Sequence, residues 1–196
     1  METLHRYLER LSSREPIPGG GSAAALVAAL GAALIEMVGR ISGAPADLVA
    51  SAERLRNESM AARERDERAF AAVIAAQAMP KSSDAEKTTR RDALESALQG
   101  AASEPLHAAA IALDVLRLAQ KLTQLRTGAL ASDVGCAAEF AAASLAACAY
   151  NVRVNHRYMR NAAAIREQFA TLEAYEHDAA VIIRQVRLAL SEMFLK

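Results

Sequence analysis

Residues 16–41 read Pro-Ile-Pro-Gly-Gly-Gly-Ser-Ala-Ala-Ala-Leu-Val-Ala-Ala-Leu-Gly-Ala-Ala-Leu-Ile-Glu-Met-Val-Gly-Arg-Ile. The first six residues cannot lie in a helix interior, because proline lacks an amide hydrogen and glycine loses most backbone freedom on ordering. From Ser22 onward the composition reverses. Alanine is the best helix former and loses no side-chain entropy, and nothing here alternates with period two, so the spacing predicts a helix capped by Ser22 and running to Ile41. Roughly a quarter of the whole chain is alanine, which buries little area per residue, so such helices must pack in close contact or find a partner. The fold class expected is all-α, a single-domain bundle of long Ala-rich helices over residues 1–196, a length that one core can serve.

Working outward, a short helix is expected from Glu2 to Leu11. Gly43, Ala44 and Pro45 break the chain before a long helix from Asp47 to Ala78. Pro80 ends it, and Ser83-Asp84-Ala85-Glu86 has the capping-box pattern of a helix start. That helix should run to Ala102, with Ser103, Glu104 and Pro105 opening another, since proline is tolerated in a first turn. Ser132 and Asp133 look like the N-cap of a helix through Asn151. The last helix, Ala162 to Phe194, carries Phe169, Leu172, Tyr175, Ala179, Ile182 and Val186 at helical spacing.

Acidic and basic residues balance at 23 each with a pI near 6.9, against a broad nucleic-acid footprint. Cys136 and Cys148 lie more than three helical turns apart, beyond disulfide reach, and read as small core residues of a reducing compartment. No segment has signal-peptide order. The apolar run Ala23 to Ile35 stops at Glu36, short of the roughly 20 residues that span a bilayer. A cytoplasmic protein with no membrane and no nucleic-acid partner is expected.

Four constellations can carry chemistry. Gly19-Gly20-Gly21-Ser22 is either a flexible turn with a serine cap or a run of backbone amides open to close approach at a helix start. In Arg63-Glu64-Arg65-Asp66-Glu67-Arg68-Ala69-Phe70 most residues read as a solvated charged face. Asp66 differs, because Phe70 and Val73 follow at four and seven residues and put it on the apolar stripe with Met60 and Arg63. Burial would raise its pKa and suit it to proton transfer, unless it is the partner of a buried arginine. Lys81 and Arg90 are either exposed cations or a grip for an anionic tail. Ser132-Asp133 is either a cap or part of a site. Asn151 and Asn155, four apart, are either helix-packing amides or ligand contacts. The four histidines show no metal-ligand spacing, so no metal is expected.

In order along the chain, P-x-P-G-G-G-S, D-x-x-A-F, P-K, an arginine nine residues beyond that lysine, P-L, S-D-V-G and N-V-x-x-N resemble the cyclodeaminase/cyclohydrolase family, from Pro16 to Asn155. The family includes formimidoyltetrahydrofolate cyclodeaminase and methenyltetrahydrofolate cyclohydrolase. The resemblance implies an all-helical homodimer or dimer of dimers acting on a tetrahydrofolate derivative, with no tightly bound cofactor. It implies Asp66 as catalytic acid/base, with Asp133, Lys81, Arg90 and the glycine run shaping the folate site. Two segments depart from the pattern. Where the family has G-N-x-N this chain reads Arg126-Thr127-Gly128-Ala129, and Gly43-Ala44-Pro45-Ala46 replaces an aromatic and basic segment. A non-catalytic folate-binding or assembly module on the same scaffold is the alternative these departures suggest.

Overall fold

A computed structural model describes residues 2–125 and 127–195. Among them are six α-helices and no strand: α1 (Leu4–Leu11), α2 (Gly20–Ser42), α3 (Ala46–Ala78), α4 (Asp84–Leu122), α5 (Ala131–His156) and α6 (Ala162–Phe194), with a 3-10 turn at Gly128–Leu130. The five long helices alternate in direction. Gly21 abuts Asp66 and Gly39 abuts Leu48, so α2 and α3 are antiparallel; Gly20 lies by Asn151 and Gly31 by Ala137, so α2 and α5 are too. The all-helical bundle expected from the alanine content is what forms.

Close approach is where the small residues matter. A side chain at Gly31 would meet the Ala137 carbonyl at 3.1 Å and Val115 at 3.4 Å, so α2 lies almost in backbone contact with α5. Ala24, Ala25, Ala28 and Ala32 share one core with Leu116, Ala119, Ala138 and Leu145 from α4 and α5. By length and composition α2 and residues 128–156 are apolar enough to cross a membrane, although the run within α2 read as too short. In the bundle α2 instead packs its apolar residues against α3, α4 and α5.

Local signals fix most ends. Ser83 and Glu86 form the capping box, and Gly43, with φ 70°, takes the left-handed position that closes α2. Three expectations fail. Ser22 is not the cap of α2: the helix starts two residues earlier on Gly19, and Ser22 is buried behind its first turn. Ser132 and Asp133 do not cap α5, because the 3-10 turn feeds straight into it with Leu130 already near-helical; Asp133 sits in the first turn, where its charge complements the helix dipole.

The third concerns Pro105, which does not start a helix but lies inside α4, unbroken over 39 residues. Proline at 105 leaves the Ala101 carbonyl without its helical donor. Asn155 of α5 supplies one: its Nδ2 donates to that carbonyl at 2.9 Å. A tertiary hydrogen bond thus carries the helix across the gap. Cys148 is buried as expected, but Cys136, 120° away around α5, is exposed.

Candidate active site

At the end of the bundle where α2 begins, a cavity of about 580 Å³ opens between α2, α3, α4 and α5. Gly19, Gly20 and Gly21 form one wall, Asp66 and Glu67 the floor, and Asn151 and Asn155 the facing edge. The remaining surface is mostly apolar, from Ile17, Phe70, Val73, Leu94 and Leu98, interrupted by Gln77 and Tyr158.

Asp66 reaches this place because α3 presents it on the same face as Val73, which is buried. Its carboxylate lies against the first turn of α2 and accepts the Ser22 backbone N–H. The helix has no side-chain cap of its own at Gly19, so a carboxylate from the neighbouring helix does that work. Contact is tight enough to require glycine: a Cβ at Gly21 would fall 2.7 Å from Asp66 Cγ and 2.9 Å from its Oδ2. Burial pushes the Asp66 carboxyl up from 3.8 to about 6; the Ser22 amide opposes this, and the charges of Glu67 and Glu104 add to it. Among the described residues no basic side chain forms an ion pair with Asp66. Arg63, the arginine a turn earlier, instead lies over the Tyr7 ring at 4.9 Å and 3.6 Å from Glu2.

The other expected residues divide. Ser22 does not line the cavity but holds what does: its amide meets Asp66, and its hydroxyl donates to Glu67 Oε1 at 3.0 Å. Asn151 and Asn155 both reach the cavity, and both also hold helices, Asn151 through the Ala147 carbonyl and Asn155 through those of Ala101 and Asn151. Arg90 stands at the rim, one turn before Leu94, with its guanidinium on the Gln77 carbonyl at 3.1 Å. Lys81 is exposed in the loop after α3. Ser132 and Asp133 are not brought here. Asp133 lies 18 residues before Asn151 on α5, about 27 Å along the helix, at the opposite end of the bundle. Arg126 of the departed segment lies outside the described residues. No group of three or more His, Cys, Asp or Glu side chains converges as a metal site among the described residues.

The sequence reading missed Glu67, counted there among solvated charges, and the role of α1. Tyr7 is 1% exposed, with its hydroxyl 3.0 Å from Ser22 Oγ, and Arg10 reaches Glu67 Oε2 at 2.8 Å. Tyr7 and Arg10 share one face of α1, the only local sign that the short helix faces something polar.

Residues 3–174 match the family described as formiminotransferase-cyclodeaminase. The chain is 32% identical over 195 residues to the methenyltetrahydrofolate cyclohydrolase of Methylorubrum extorquens, covering 94% of each. It is also 32% identical over 167 residues to the formimidoyltransferase-cyclodeaminase of Rattus norvegicus, a match that takes in 80% of this chain and 31% of that one. Its fold overlays the crystal structure of formiminotetrahydrofolate cyclodeaminase from Thermotoga maritima with a TM-score of 0.86 and 25% identity, over 98% of both chains.

Proposed function

The chain belongs to the formiminotransferase-cyclodeaminase family, and from that premise we propose that it is a one-carbon tetrahydrofolate enzyme in which Asp66 moves the proton. The reaction is cyclodeamination or cyclohydrolysis, as in the relatives named above. One observation carries the assignment to Asp66: a part-buried carboxylate with no basic partner among the described residues, on the floor of the cavity, pushed up to about 6 by burial. Such a group takes and returns a proton near neutral pH.

In cyclodeamination N10 adds to the carbon of the protonated formimino group and gives its proton to Asp66. Asp66 returns that proton to the departing nitrogen, which leaves as ammonia. In cyclohydrolysis water adds to the methenyl carbon and loses a proton to Asp66. Asp66 passes that proton to a ring nitrogen as its bond to the carbon opens, and the hydroxyl releases its own proton to solvent, leaving a formyl group. The apolar walls suit a flat heterocycle, and Lys81 and Arg90 stand beyond the rim where an anionic tail would emerge.

The protein acts as a homodimer or a dimer of dimers. An apolar stripe of α2 (Leu30, Met37 and Ile41) lies beside one of α5 (Phe140, Tyr150 and Val154), all exposed in a single copy, Ile41 by 65% and Tyr150 by 74%. Pairing these faces about a two-fold axis, with α5 antiparallel to its mate, would carry Asp133 of the partner subunit towards the cavity. That arrangement reconciles its distant position here with a part in catalysis. The two unpaired cysteines support a cytoplasmic location.

The test is turnover of methenyltetrahydrofolate and of formiminotetrahydrofolate by the purified protein. Activity on either is expected. Failure on both, with a folded dimer, would refute the enzyme reading in favour of the non-catalytic module.

A further inference from the structure

Glu67 has no part in the proton transfer just described, yet much of this end of the fold holds it still. Its side chain is 16% exposed, on the cavity floor. Oε2 accepts from Arg10 at 2.8 Å and Oε1 from the Ser22 hydroxyl at 3.0 Å. Because that hydroxyl spends its single hydrogen on Glu67, the Tyr7 hydroxyl must donate to Ser22. Arg10 is itself braced by Glu2 at 3.1 Å. Helix α1 therefore serves to fix one carboxylate beside another.

The rest of the cavity surface is mostly apolar, with Asp66, Gln77, Asn151, Asn155 and Tyr158 as its other polar side chains. Among the described residues no lysine, arginine or histidine lines it. Both Nδ2 hydrogens of Asn155 go to the Ala101 and Asn151 carbonyls, which sets the amide's orientation and leaves Oδ1 for a ligand. Asp66, Glu67 and Asn155 all offer acceptors, so the cavity favours a ligand that is cationic or rich in N–H.

We propose that Glu67 is the fixed anion that binds the delocalised N–C–N cation of the substrate, the amidinium unit shared by a protonated formimino group and a methenyl bridge. This rests on the proposed function and adds a division of labour between adjacent carboxylates. Asp66 exchanges a proton, and Glu67 is held in place by a guanidinium and a hydroxyl. In cyclohydrolysis the substrate's positive charge disappears as water adds. Glu67 then binds the ground state more tightly than the transition state, so its removal raises KM and does not lower kcat.

The test is binding and turnover by Glu67→Gln, which keeps the shape and removes the charge. Calorimetric Kd values are measured for cationic methenyltetrahydrofolate and for tetrahydrofolate, which lacks the cationic one-carbon bridge between N5 and N10. The variant should bind the methenyl compound at least about 10-fold more weakly and tetrahydrofolate within about 2-fold of wild type, with KM raised and kcat not lowered. Equal loss for both ligands, or none for either, would overturn the inference. A second measurement needs no variant: acetamidine should compete with methenyltetrahydrofolate on the wild-type protein, and neutral acetamide should not. Equal competition by the two would also overturn it. A wild-type protein that binds neither folate instead overturns the proposed function itself, so the two failures are distinguishable.

Discussion

Gly21→Ala separates the position of Asp66 from the stability of the fold. A new Cβ would lie 2.7 Å from Asp66 Cγ, where carbon atoms settle at about 3.5–4.0 Å, so the carboxylate must withdraw by about 1 Å. Withdrawal is cheap for the fold, because the obstructing atoms are the free end of a side chain. Alanine for glycine within a helix gains up to about 1 kcal/mol, and losing a carboxylate cap costs about 0.5–2 kcal/mol, so stability should change by no more than about 1 kcal/mol. Catalysis has no such compensation. Misplacing a reacting group by about 1 Å costs on the order of 10²-fold, and that fall in kcat/KM is expected. Gly100→Ala is the control: its Cβ would meet nothing within 4 Å, so it should stabilise α4 and leave turnover untouched. Melting curves and steady-state kinetics on the three proteins suffice. A Gly21→Ala enzyme with wild-type turnover would refute the claim that contact between this glycine and Asp66 sets the catalytic geometry.

Asp66→Asn should lower turnover by about 10²–10⁴-fold while the protein stays folded. Because the fold raises this carboxyl from 3.8 to about 6, the native state binds the extra proton between those values; the group's contribution to stability falls as pH rises from about 4 to 6 and is level above. Melting temperature against pH should show that fall in wild type and not in Asp66→Asn, and coincident profiles would place the carboxyl in solvent. Wild-type kcat/KM for cyclohydrolysis should rise through about pH 6, since the ionised form is the base. Sedimentation at micromolar concentration should give a dimer or larger, with Ile41→Asp or Tyr150→Asp shifting it to monomer; a stable wild-type monomer would sink the pairing of α2 and α5. Lys81→Ala and Arg90→Ala should weaken polyglutamylated folates more than monoglutamates in a binding assay, and equal loss would place both residues away from the tail.

The fold was legible where a residue's own chemistry decides its neighbourhood. Alanine content, the glycine run, the Ser83 capping box and the Pro45 and Pro80 boundaries all act within a few residues, and each appears in place. Pro105 was misread because the group that rescues it, Asn155, lies 50 residues away. Ser22 was misread in a related way. It has the chemistry of a cap, but the helix already begins at Gly20, so its hydroxyl has no amide to cap and donates to Glu67 instead. Asp66 stood out because apolar residues four and seven positions later pulled it off the charged face. Glu67, one residue on, had no such local mark, since its partners are delivered by α1 from 57 residues away.

The gap at Pro105 makes two distant positions inseparable. With any other residue at 105, α4 would close its own hydrogen bond and the Asn155 amide would have to share the Ala101 carbonyl, while the Asn151 carbonyl keeps its other hydrogen. The cavity edge would then be held less firmly by one of its two anchors. A change buried in one helix would thus reach the ligand as a looser amide, with no atom near the ligand replaced.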